Sequence, residues 1–214
     1  MSFQEVINKI ISPAKTFADV LPSGSDVRLA QEEYAYFRMQ STQKAQVPDS
    51  PYLINVAGLP ASGKSFYIKE LLQSHPDAVY VSFDRVMESW SEYIAEEKED
   101  NESAFTRWEL AARVAGYELL AFCLERRYPV IFEHSNANEA HLALYKAIIS
   151  AGYRVEIRYI DASPALVLPR LALRKRYFPP HQVELRGKLL QRLNPQYRQI
   201  VDRFETVTPW KENE

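Results

Sequence analysis

Residues Gly58-Leu59-Pro60-Ala61-Ser62-Gly63-Lys64-Ser65 set two glycines, a lysine and a hydroxyl at the spacing G-x-x-x-x-G-K-[ST]. The chemistry open to that pattern is phosphate binding. Two glycines let the backbone turn its N–H groups inward into a nest for anionic oxygens. A helix opening at the second glycine adds its positive end. Lys64 is then placed to bridge β- and γ-phosphates, and Ser65 to offer its hydroxyl to Mg²⁺. About twenty residues on, Asp84 closes a second apolar run, VYVSF. A carboxylate beside a bound γ-phosphate can accept the proton of an alcohol and orient its oxygen for in-line attack. The other reading of Asp84 is an N-cap that satisfies free helix N–H groups.

Two further groups complete the inventory. Glu133 ends a third apolar run, where a carboxylate could organise a metal or hold a substrate; a charge at the end of a buried strand is costly without a task. Ser135 and Asn136 follow it and can hydrogen-bond sugar hydroxyls or amides, or cap the helix expected from Ala137. Between Ser163 and Arg203 lie nine Lys/Arg and only two acids, Glu184 and Asp202. Arg174, Arg176 and Arg186 from this arm could neutralise a phosphoryl group in transfer, with the stretch at about 170–187 closing as a lid that excludes water. A solvated basic helix or an RNA-binding patch would look the same in sequence. His75, His134, His141 and His181 show no metal-ligand spacing.

These groups need elements to hold them. From Tyr52 the chain alternates short apolar runs with helical stretches: runs at Tyr52–Ala57, Val79–Phe83, Pro129–Phe132 and Tyr153–Ile160, and helices over Lys64–Gln73, Ser103–Arg127, Ala137–Ala151 and Ser163–Tyr177, with two more short helices after the Pro179-Pro180 break. Such alternation predicts an α/β three-layer sandwich with a mostly parallel sheet and helices on both faces. Its ligand crevice lies at the carboxyl ends of the strands, where each motif above falls. Residues 1–50 read differently: two helical stretches and a Pro-containing linker, an N-terminal helical extension on a phosphate-loop domain at 51–214.

The phosphate loop, Asp84, Glu133-His134-Ser135 and the arginine arm together resemble the zeta-toxin and polynucleotide-kinase-like branch of P-loop kinases over about residues 52–203. The resemblance implies an ATP- and Mg²⁺-dependent kinase. Gly58–Ser65 would hold the nucleotide, Asp84 would be the base, and Glu133, Ser135 and Asn136 would face the acceptor. Arg176-Tyr177 and Arg186 are similar to the family's closing arginine motifs, with Arg174 as a replacement, and His134 stands where the family has glycine. The implied acceptor is a small molecule with a hydroxyl, a nucleotide sugar among them, and the implied partner is an antitoxin or other protein docking through residues 1–50. A polynucleotide or tRNA-end kinase and a non-catalytic nucleotide-binding module are the rival readings.

Composition narrows the field. The 214 residues are 46% hydrophobic and 25% charged, which excludes a disordered or fibrous chain. A net charge of −2 argues against a basic nucleic-acid coat. One cysteine, Cys123, forms no intrachain disulfide. No apolar run reaches the roughly 20 residues of a membrane span. The expectation is a cytoplasmic protein.

Overall fold

A computed structural model describes residues 1–174 and 176–209. Five strands build one sheet: β1 (Tyr52–Gly58), β2 (Val79–Ser82), β3 (Val130–Glu133), β4 (Arg154–Ile160) and β5 (Arg203–Val207), in the order β2-β3-β1-β4-β5. Every neighbouring pair runs parallel. Helices must therefore make the crossovers, and the inner strands are covered on both faces. That is why β1 reads as an unbroken apolar run: six of its residues, from Leu53 to Gly58, are buried.

Helices α3 (Lys64–Ser74), α6 (Asn101–Glu125) and α7 (Ala140–Ser150) make the crossovers among β1 to β4. Alternate residues of the strands serve the two faces. Val56, Ile131 and Ile160 pack with Ile68 of α3 on one face. Leu53, Ala57, Val81 and Phe132 join α6 and α7 in the main core on the other. Two short helices, α4 (Phe83–Met87) and α5 (Ser91–Glu99), link β2 to α6 and occupy the acidic stretch. Asp100 caps α6, accepting N–H bonds from Glu102 and Ser103 at 3.1 Å each.

The N-terminal segment shares this core. Helix α1 (Phe3–Ile11) opens on a capping box between Ser2 and Glu5, and α2 (Val27–Thr42) is capped by Asp26. Val6, Ile7, Phe17 and Tyr34 are buried with Trp90 and Trp108 in the main cluster. The Tyr34 hydroxyl donates to the Ala115 carbonyl at 2.8 Å, and the Trp90 indole to that of Ala30 at 3.1 Å.

Two expectations about the end of the chain are corrected. The helix expected to run to Tyr177 stops at Ala172, as α8 (Pro164–Ala172), and one 18-residue helix, α9 (His181–Arg198), stands in place of two short ones. Pro195 sits inside α9 without ending it; burial of Leu190, Leu193 and Tyr197 holds the helix in place despite the lost hydrogen bond. A fifth strand, β5, was not expected at all. It is a half-exposed edge carrying Arg203 and Glu205, so it lacks the apolar run of an inner strand.

Candidate active site

The phosphate loop leaves β1 at its carboxyl end, on the central strand of the sheet. Two glycines are dictated here by geometry. A Cβ on Gly58 would stand 2.8 Å from the Ile160 carbonyl oxygen, and φ is +139°. Gly63 caps α3 in the left-handed region at φ +98°. The Lys64 ammonium folds back over the loop, donating to the carbonyls of Leu59 at 2.9 Å and Gly58 at 3.3 Å. Loss of solvent pulls its pKa down, against the charge of Glu133, which pulls it up. Ser62 Oγ is buried without a hydrogen-bond partner among the described residues. An unsatisfied hydroxyl in this loop suits a phosphate oxygen.

Asp84 and Glu133 arrive from neighbouring strand ends. Glu133 closes β3 in register with Ser82 on β2. Its Oε2 accepts from Ser82 Oγ at 3.2 Å and from the Tyr80 hydroxyl. That leaves the other oxygen for the cleft. Asp84 sits in the first turn of α4 with no side-chain cap bond at that terminus, so it does not serve as the helix cap. Lys64, Ser65, Asp84, Glu133 and Ser135 line one cleft of about 720 Å³, within the range of small-molecule sites.

The basic arm also lines the cleft. Arg170, Arg174 and Arg186 line the cleft from α8, from the turn after it, and from α9. Helices α8 and α9 have a small core of their own, Val167, Leu171, Val183 and Leu190, and it closes around Leu59 of the phosphate loop. These two helices therefore rest on the loop itself. Arg186 reaches Ser135 Oγ and Gln182 Oε1 at 3.4 Å each and stacks over Phe178.

Two expected contacts are corrected. Arg176 does not line the cleft; its guanidinium bridges Asp84 and Glu88, so it holds the carboxylate rather than facing the loop. Asn136 does not face an acceptor. It is fully buried at φ +63°, its amide donating to Asn55 Oδ1 at 2.6 Å while its own Oδ1 accepts from the Tyr145 hydroxyl at 2.7 Å and His141 Nδ1 at 3.2 Å. His134 belongs to the same network: Nδ1 accepts the Asn136 N–H at 3.0 Å, and the ring stacks on Phe132. Burial lowers the pKa of His134 well below 6.5 and takes that of His141 down to about 3, so both rings are neutral near pH 7.

A family model for AAA domains matches residues 53–198. The chain belongs to this AAA domain family. Its fold is that of the P-loop kinase-like domains. Among solved structures, it resembles a chain from the PezAT chromosomal toxin–antitoxin system of Streptococcus pneumoniae, at 13% identity over 86% of this chain and 79% of that one, with a TM-score of 0.68. It also resembles AvrRxo1-ORF1:AvrRxo1-ORF2 solved with sulphate ions (15% identity, 91% and 71% covered, TM-score 0.60) and the same pair solved with ATP (14%, 91% and 71%, 0.60). No curated protein matches in sequence.

The AAA domain also recruits residues that the motifs do not mark. Phe105, Glu109, Arg113 and Tyr117 line the cleft from α6. Their four-residue spacing was visible, but a Glu–Arg pair at i, i+4 reads equally well as a solvated helix face. Among the described residues no three His, Cys, Asp or Glu side chains group to hold a metal. Ser65 is exposed at the loop, which suits Mg²⁺, an ion bound mostly through nucleotide phosphates and water. Among the described residues no helix is long and apolar enough to cross a membrane.

Proposed function

We propose that this AAA domain is an ATP-dependent phosphotransferase that moves the γ-phosphate of ATP to a hydroxyl of a small molecule, a nucleotide sugar being one candidate. One observation carries the reading: the Asp84 carboxylate shares a cleft with Lys64 and Ser65 of the phosphate loop. Holding a nucleotide needs the loop alone; a carboxylate and several arginines around it suit transfer.

In this reading the loop amides and Lys64 bind the triphosphate. Asp84 accepts the proton of the acceptor hydroxyl. The freed oxygen bonds to the γ-phosphorus as the bond to the bridging oxygen breaks, and ADP leaves. Arg174 and Arg186 offset the charge that spreads over the equatorial oxygens, and Arg176 orients Asp84. Glu133, held by Tyr80 and Ser82, and Ser135 position the acceptor. Mg²⁺, when bound at Ser65, supplies further neutralisation of the phosphates.

The test is transfer of labelled γ-phosphate from ATP·Mg²⁺ into a metabolite extract and, in parallel, into RNA and DNA 5′-ends. Asp84→Asn is expected to keep nucleotide binding and lose about 10²–10⁴-fold in transfer. Unchanged turnover in that variant refutes the assignment of the base, and label in nucleic-acid ends alone moves the acceptor to that class. The two-protein systems among the solved neighbours support a protein partner, an antitoxin by the likeness to PezAT, at residues 1–50. Tyr36 and Met39 of α2 are exposed there. A cytoplasmic place of action goes with this reading.

A further inference from the structure

The proposed transfer leaves one wall of the cleft without a task. That wall is the face of α6 with Phe105, Glu109, Arg113 and Tyr117, four residues apart and so in one row. The row runs beside Asp84. A Cβ on Gly116 would stand 2.1 Å from Phe83 Cδ1, so α6 lies hard against the residue that precedes Asp84. Helix α3 and its loop pack on one face of the sheet and α6 on the other. An alcohol that reaches Asp84 from the loop side therefore has this row as its far wall.

Arg113 is the cation of the row. Its ion-pair partner is Glu109 at 3.8 Å, and the two side chains are 45% and 39% exposed. At that distance and exposure the pair is weak. A guanidinium offers five N–H donors in a fork that fits a carboxylate or phosphate, and one loose ion pair among the described residues uses little of it. ATP already has Lys64, Arg174 and Arg186 on the loop and lid sides. Phe105, half-buried, lines the same cleft and can cover an apolar body.

We propose that Arg113 binds an anionic group of the acceptor, so that the substrate is an alcohol that also bears a phosphate or a carboxylate. This rests on the phosphotransferase reading and narrows its substrate class.

The experiment has two arms. In the first, the full chain saturated with Mg²⁺ and a non-hydrolysable ATP analogue is titrated with inorganic phosphate and, separately, with citrate, and binding is read from the rise in Tm. Wild type is expected to bind one of these anions about ten- to hundred-fold more tightly than Arg113→Ala, the worth of hydrogen bonds to a charged group, with Arg113→Lys between them. Equal binding by wild type and Arg113→Ala overturns the inference. In the second, label transfer is compared among glucose, glucose 1-phosphate and gluconate. The expected result is transfer to an anionic member, with Arg113→Ala raising the KM of that acceptor rather than that of ATP. Equal use of the neutral sugar, or a rise in the KM of ATP instead, overturns the inference. Arg113-dependent anion binding without transfer to any alcohol upholds the anion site and counts against the phosphotransferase reading.

Discussion

Replacement of Gly116 by alanine sets two known effects against each other. Alanine in a helix interior is favoured over glycine by about 1 kcal/mol. Here, however, the new Cβ would stand 2.1 Å from Cδ1 and 2.6 Å from Cε1 of Phe83. Carbon atoms in contact sit at about 3.5–4.0 Å, so the ring must retreat by about 1.5 Å. Tyr117, His134 and Phe132 stand around it with ring centroids at 4.9, 5.6 and 5.8 Å, so the ring can retreat only toward the cleft that it also lines. Overpacking of this kind costs about 1–3 kcal/mol. The net expectation is a loss of about 0–2 kcal/mol, seen as a fall in Tm of up to about 8 °C for a chain of this size. Because Asp84 follows Phe83, turnover should fall with it; a shift of about 1 Å in a reacting group can cost about 100-fold. Thermal and urea unfolding would measure the first, and label transfer from ATP the second. Phe83→Leu in the Gly116→Ala background should return part of both, since the two sites are in contact. A Gly116→Ala protein that is about 1 kcal/mol more stable than wild type, with unchanged turnover, would refute the reasoning: helix propensity would have won, and the close approach of α6 to α4 would not fix Asp84.

The remaining predictions concern the same surroundings. His141, held near a pKa of about 3 by burial, and His134, also lowered, stay neutral in the fold but protonate below about pH 6.5 once unfolded. The unfolded state then binds more protons, so stability is full above pH 6.5 and falls as the pH drops toward 3; His141 alone should cost about 2 kcal/mol between pH 7 and pH 5. Urea unfolding at those two pH values, with stability no lower at pH 5, would contradict the buried neutral pair. Arg176→Ala should cost transfer about ten-fold or more, because Asp84 loses the group that orients it. It should change stability by no more than about 1 kcal/mol, because Asp84 and Glu88 are 39% and 47% exposed. A large drop in Tm with turnover retained would make Arg176 a structural clamp instead.

The legible part of this site is the part made from neighbours in the chain. Gly58, Gly63, Lys64 and Ser65 lie within eight residues, and each is the residue type that the phosphate loop requires. Glu133 was legible because a charge at the end of an apolar run stands out. The sheet followed from the alternation of runs and helices. What escaped is built from distant pieces. Asn136 looked like a ligand-facing amide, yet its partners Asn55, His141, Tyr145 and Tyr197 come from three other elements, β1, α7 and α9, as far as 81 residues away. Arg176 finds Glu88 across 88 residues. Neither partnership leaves any trace in local spacing. The α6 row was hidden for another reason: its pattern fits a solvated face and a cleft wall alike, and only packing decides. β5 was missed because an edge strand needs little apolar surface.

The Tyr197 hydroxyl, near the far end of α9, donates to the carbonyls of Asn138 at 2.8 Å and Asn136 at 3.1 Å, and so ties that end to the buried network under the central strand. In mechanical terms the helix is a lever with a fixed fulcrum. Arg186 lies eleven residues from it, about 16 Å along the axis. A tilt of about 10° at the fulcrum carries Arg186 through about 3 Å, the span between touching a phosphate oxygen and missing it. Val183 and Leu190, which share a small core with Leu59 of the phosphate loop, straddle Arg186, so a small change in how α9 leans on that loop is carried directly to the arginine.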